Sequence, residues 1–238
     1  MQTRSVLQAT AEIQWPCPLP DATKASLLQI ARPFDPSRLM GPMPGIFYVL
    51  SGCVVGYATN EAMDNSLGLI FGHGSWFGIQ YIDNPEYAPV ELFETLLPTR
   101  LLLFPKDSLQ FLLEKEPLVY KLLFFISQQI GRMTLQIGSN TLFCLTTRVT
   151  YLLLELARQH ALVEDSHPVL KITQQRLSQI AGISRPRVNE VLNVLADAGE
   201  IAIRRGEILL LDFTAMKARL PQFSFMYHDP VPHIDHTG

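Results

Sequence analysis

Residues 172–211, ITQQRLSQIAGISRPRVNEVLNVLADAGEIAIRRGEILLL, hold two short amphipathic helical patterns joined by a glycine turn and followed by a basic hairpin. Leu177, Ile180 and Ala181 fall at i, i+3 and i+4; Gly182 and Ile183 interrupt the period; Val188, Val191, Leu192 and Leu195 resume it. Thr173 is placed to cap the first helix, with polar Gln174 and Gln175 at an N-terminus whose free N–H groups suit a phosphate. Ser184 is placed to cap the second helix through its hydroxyl, and Pro186 is tolerated in the first turn. Gly199 suits the C-terminal end of that helix. Arg185, Arg187 and Asn189, with Glu190 behind them, project from its start, the end that such motifs push into a DNA major groove. IAIRRGEILLL then reads as two strands around Arg204, Arg205 and Gly206, a wing that lays two cations against a phosphate backbone. The layout is a winged helix-turn-helix, and it points to double-stranded DNA as partner.

The chain of 238 residues, 47% hydrophobic, is long enough for two domains with real cores. There is no uninterrupted apolar run of about 18 residues and no charged-then-apolar leader pattern, so no membrane role is expected and a cytoplasmic location is. Cys17, Cys53 and Cys144 are scattered and odd in number, which argues against a disulfide framework and fits a reducing compartment. The formal charge of −3 is unevenly spread. Residues 146–220 hold ten Lys or Arg against eight Asp or Glu, whereas residues 1–145 hold nine against twelve. The sign of that asymmetry is the one a C-terminal DNA-binding domain requires.

From about Asp107 to Asn140 the pattern is helical, and its second half carries a heptad seam: Val119, Leu123, Ile126, Ile130, Met133, Ile137 and Asn140, continuing to Cys144. Homodimerisation through this seam is expected. The competing reading is that the face packs on the chain's own domain, because Leu122, Phe124, Phe125 and Leu135 make more than one side apolar. Residues 25–105 have another texture. IFYVLSGCVVGYATN, LGLIFGHGSWFGIQYI and LFETLLPTRLLLFP are short apolar or alternating runs separated by glycines and prolines, as in a small all-β roll, a typical ligand container.

A β-roll, a long dimer helix and a winged helix-turn-helix in this order resemble the cyclic-AMP receptor protein and fumarate-nitrate regulator (Crp/Fnr) superfamily of bacterial transcription factors. The resemblance is carried by IFYVLSG, NTLFCLTTRVTYLLLELARQ and ITQQRLSQIAGISRPRVNEVL and spans most of the chain. It implies an α+β fold: a cyclic-nucleotide-binding-like roll over residues 1–106, a dimerisation helix region over 107–144, a winged helix-turn-helix over 145–220 and a tail from 221. It also implies a homodimer that reads a near-palindromic site through the helix starting at Ser184, hinged near Cys144–Thr147, and that meets RNA polymerase if it activates.

Departures from the family pattern narrow the cofactors. GSWFGI puts Ile79 where cyclic-nucleotide binders carry a ribose-binding glutamate, Pro89 stands at the ungapped place of the phosphate-binding arginine, and Met133 stands where a polar adenine contact belongs. An apolar residue and a proline leave a phosphate unpaired, so cyclic AMP is not expected as effector. The iron-sulfur members use four cysteines mostly near the N-terminus, where only Cys17 lies, and a haem would need an axial ligand such as His73 or Cys53; neither group is expected. In the reading helix, Arg185 matches the family's first base-contacting arginine and is the candidate for a guanine, while Pro186 replaces a glutamate and Glu190 a second arginine. Arg187 suits a base or a phosphate, and Asn189 an adenine.

Two other functional classes remain open at this stage. A cupin-like roll holding a metal or small ligand would want paired histidines and a carboxylate where the front half offers His73, and no nucleophile-turn or phosphate-loop motif is present, so no enzyme is expected. An interaction protein whose helix-turn-helix no longer binds DNA is the other. The tail concentrates His228, His233, His236, Asp229 and Asp235, but its prolines give no pre-organised spacing, and no metal site is assigned there.

Overall fold

The computed structural model describes residues 13–39, 43–59, 66–79, 91–160, 162–164 and 167–220. Pro89 and the histidine-bearing tail lie outside them. The chain divides into two compact units, Met1–Ala58 with Phe71–Arg132 and Thr59–Ile70 with Met133–Gly238.

The chain up to Pro105 holds helix α1 (Asp21–Ile30) and strands β1 (Arg32–Phe34), β2 (Gly45–Ser51), β3 (Cys53–Thr59), β4 (Ser66–Gly72), β5 (Trp76–Phe77), β6 (Glu91–Thr95) and β7 (Arg100–Pro105). The strands form two sheets, ordered β1-β7-β2-β5 and β4-β3-β6. β2 pairs antiparallel with β7 from Gly45↔Pro105 to Ser51↔Arg100, which puts Ile46, Tyr48 and Leu50 on one face and Phe47 and Val49 on the other.

The first face, with Trp76, Leu102 and Phe104, packs against Leu27 of α1, Leu109 of α2 (Lys106–Lys115) and Val119, Leu122 and Ile126 of α3 (Val119–Asn140). The opposite face feeds an aromatic column. Phe47 meets Phe34 edge-on at 4.9 Å and stacks on Phe77 at 5.1 Å, and Phe77 stacks on Phe71 and Phe93 of the other sheet at 5.0 and 5.7 Å. Gly56 makes room for it: a Cβ there would stand 2.8 Å from the Phe93 ring. The expected ligand container is therefore bridged, sheet to sheet, by its own phenylalanines.

The helical stretch is two helices, with a break at Glu116–Leu118 where Pro117 cannot continue the first. The heptad seam is also divided. Val119 and Ile126 are fully buried in the monomer's own core, and Leu123 and Ile130 pack partly against it. The expectation that Val119 and Ile126 face a second copy is corrected, because the apolar side of this sheet needs a helix to cover it. Met133 and Ile137, further along, are half-buried, and the side chain of Asn140 lies outside the described residues. The outward side of α3 carries Tyr120 and Phe124, 60% and 58% exposed, and Gly131 and Gly138, around which a Cβ would meet nothing within 4 Å.

The second unit contains α4 (Leu145–His160), β8 (Leu162–Glu164), β9 (His167–Leu170), α5 (Gln174–Ala181), α6 (Arg185–Asp197), β10 (Ile201–Arg204), β11 (Glu207–Leu210) and α7 (Phe213–Ala218). Its sheet runs β10-β11-β9-β8, all antiparallel. The helices close over it with Val149, Leu153, Leu156, Leu177, Val188, Leu192, Leu195 and Met216, all fully or almost fully buried. No helix among the described residues is long and apolar enough to cross a membrane.

Candidate nucleic-acid interface

The turn between α5 and α6 decides where the reading helix points. Gly182 adopts φ +61°, a left-handed conformation that glycine takes without steric cost, and the Ile183 N–H reaches back to the Ser178 carbonyl at 3.1 Å. Thr173 caps α5 as expected, its Oγ1 accepting from the Arg176 N–H at 3.2 Å. Ser184 stands at the N-cap of α6 with extended backbone, but its hydroxyl accepts no capping hydrogen bond. That expectation is corrected: Pro186, two positions on, has no N–H to give, and the Arg187 N–H three positions on makes no bond to the hydroxyl. The Ser184 carbonyl still accepts from Val188 at 3.1 Å, so the helix begins where the sequence indicates.

Helix α6 turns Val188, Val191, Leu192 and Leu195 inward, which leaves Ser184, Arg185, Pro186, Arg187 and Glu190 exposed. Arg187 Nη1 donates to Glu190 Oε2 at 3.1 Å. Asn189 is only half-exposed, and its Oδ1 is buried without a hydrogen-bond partner. A two-point contact with adenine, which uses both ends of the amide, requires Asn189 to change rotamer. Gln175 is exposed and Gln174 half-buried at the start of α5. The wing is a tight hairpin, with Arg204 paired to Glu207, and both Arg204 and Arg205 are exposed at its tip.

Three positioning residues escaped the sequence reading because their partners are distant along the chain. Arg148 of α4 donates from Nη2 to the Ala181 carbonyl at 3.1 Å, satisfying the end of α5 beside the turn. Glu200, almost buried at the root of the wing, takes three hydrogen bonds from Arg219 at 2.6–2.8 Å. At the hinge position, Cys144 Sγ lies 3.4 Å from Thr147 Oγ1, which donates to the Arg219 carbonyl at 3.5 Å. Hydrogen bonding to Thr147, chiefly through its hydroxyl, lowers the thiol pKa of Cys144.

Two short helices at a glycine turn, a cationic helix start and a cationic hairpin define a winged helix-turn-helix, built to meet a phosphate backbone and base edges together. Residues 147–219 match the Crp-like helix-turn-helix domain family. Over 167 residues the chain is 28% identical to the cyclic AMP receptor protein of Thermus thermophilus, across 68% of this chain and 73% of that protein. A solved transcriptional regulator of the Crp/Fnr family, also from Thermus thermophilus, is 26% identical, with TM-score 0.65 over 79% of this chain and 97% of that one. A crp/fnr-family regulator from Eubacterium rectale, 17% identical, shares the fold with TM-score 0.66 over 84% and 94% of the two chains. The chain is a transcriptional regulator of the Crp/Fnr type with a helix-turn-helix DNA-binding domain.

Proposed function

We propose that the chain acts without catalysis as a cytoplasmic homodimer that reads a near-palindromic duplex site, with two copies of α6 about 34 Å apart in successive major-groove turns. The observation that carries this reading is the exposed, cationic start of α6 held by the Gly182 turn, with the wing tip Arg204 and Arg205 presented by the same unit. Thr173, Gln174, Gln175 and Ser184 serve backbone positioning, and Arg185 reaches a guanine. The dimer face assigned is the outward side of α3, where Tyr120 and Phe124 lack cover and the bare helix at Gly131 and Gly138 admits a close neighbour. Met133 and Ile137, on the heptad stripe beyond the part buried against the sheet, are half-buried and give the partner a second apolar contact. RNA polymerase is a partner if the regulator activates.

The effector is proposed not to be cyclic AMP, and neither an iron-sulfur cluster nor a haem is assigned. Ile79 packs against the roll's hydrophobic core instead of offering a carboxylate to a ribose. Cys17 and Cys53 are buried, while His73 sits in an exposed turn with Nδ1 2.7 Å from the Leu50 carbonyl. Binding of the full chain to random-sequence duplexes at about 50 and about 200 mM salt tests the whole reading. With roughly six or more phosphate contacts, affinity should fall by at least about a thousandfold, and selection should recover two-fold symmetric sequences. Weak binding indifferent to salt would leave only an interaction protein.

A further inference from the structure

We propose that Arg187 and Glu190 act on DNA as one reading element, in which Glu190 orients Arg187 toward a guanine and itself requires a neighbouring cytosine. The proposal rests on the DNA-binding reading above and names what that site selects. Along α6 the buried Val188, Val191, Leu192 and Leu195 fix the inward side, so Arg187, Glu190 and Val194 rise along one exposed edge at i, i+3 and i+7. The two charged side chains are 62% and 63% exposed and joined at 3.1 Å. An exposed pair at this spacing contributes too little to explain its presence by stability.

A carboxylate on the edge that approaches a polyanion is repelled by every nearby phosphate, so it weakens binding to any duplex unless it meets a specific donor. Among base edges in the major groove that donor is the cytosine N4–H, while guanine O6 and N7 accept from an arginine fork. Glu190 Oε2 is engaged by Arg187 Nη1, which restricts the rotamers of a long side chain and leaves its other N–H groups for a base. The second oxygen, Oε1, is left to accept. Pro186 on the same first turn offers no donor or charge to compete, and Asn189 has its carbonyl oxygen turned inward. Val194, 49% exposed one turn beyond, continues the edge with methyl groups suited to a thymine methyl.

The test is base-by-base affinity of the full chain for its selected duplex and for a scrambled one, in Glu190→Gln, Arg187→Ala and the double variant. All of these side chains are exposed, and circular dichroism should show each variant folded. Glu190→Gln should lose about 5- to 150-fold of discrimination at a single G·C pair while binding the scrambled duplex as tightly as the wild type or up to a few-fold tighter. A merely structural role would weaken both duplexes together. Arg187→Ala should lose preference at the same or the adjacent pair, and the double variant should be no worse than Arg187→Ala. Unchanged base preference in Glu190→Gln, with Arg187→Ala weakening both duplexes equally, would overturn the pairing and leave the regulator reading intact. Failure of the wild-type chain to bind any duplex would overturn both.

Discussion

Replacing Arg219 by alanine should destabilise the C-terminal unit far more than an ordinary surface substitution, although Arg219 belongs to no reading element. Its guanidinium gives Glu200 two hydrogen bonds from Nε at 2.8 Å and one from Nη2 at 2.6 Å, and the Glu200 side chain is only 6% exposed. The Glu200 carbonyl meanwhile accepts from the Leu211 and Asp212 N–H groups at 2.8 and 3.1 Å, so this residue closes both ends of the wing hairpin. Removing one member of a buried pair strands the other charge, which costs about 3–5 kcal/mol in a dry site. Because the Arg219 side chain is 32% exposed, water can enter the vacated place, and we take about 2–3 kcal/mol. For a domain of this size that lowers the melting point by roughly 10–20 °C, read as a shift of one transition in calorimetry of the full chain. Hydrogen bonding to Glu200, ahead of any other cause, raises the Arg219 pKa. The stabilisation is thus fully present below the unfolded guanidinium range and fades only as pH rises through the folded value, so the effect should be flat across neutral pH. Glu200→Ala together with Arg219→Ala should cost less than the sum of the two single changes, since no charge is left alone. A shift under about 2 °C for Arg219→Ala, or strict additivity in the double variant, would refute the reasoning.

Thr173→Ala should cost about 1 kcal/mol, whereas Ser184→Ala should cost only a few tenths, because only Thr173 makes a capping hydrogen bond; urea unfolding midpoints decide it. Phe77→Ala, at the centre of the aromatic column and fully buried, should cost about 3–5 kcal/mol in the N-terminal transition. Cys144 is exposed with a lowered pKa, whereas Cys17 is buried with its pKa raised by desolvation. Iodoacetamide, followed by mass spectrometry, should therefore modify Cys144 first, with a rate that levels off at lower pH than for a free thiol. Phe124→Glu should shift sedimentation from dimer to monomer, while an unchanged dimer would remove the outward side of α3 as the interface.

What could be read from the chain was what depends on neighbours in sequence. The helix-turn-helix is such a case: its inward residues, the Gly182 turn and the hairpin around Arg205 are set by spacings of three, four and two residues, and all stand where the period puts them. Ser184 shows the limit even there, since the cap rule names a residue type and not whether its hydroxyl makes the bond. The seam misled for a different reason. A heptad spacing and a helix covering a sheet both ask for an apolar stripe, and nothing within α3 says whether a second copy or the sheet of β2 and β7 supplies the other side. Val119 and Ile126 were taken by the sheet, where they join Leu27 and Leu109 in covering Tyr48, Trp76 and Phe104. Contacts such as Arg148 with Ala181, or Glu200 with Arg219, join residues 33 and 19 positions apart and leave no periodic trace. The aromatic column was half legible. Phenylalanines at Phe34, Phe47, Phe71, Phe77 and Phe93 were visible as apolar residues in strands, but only the sheet register brings them together, where their rings join the two sheets.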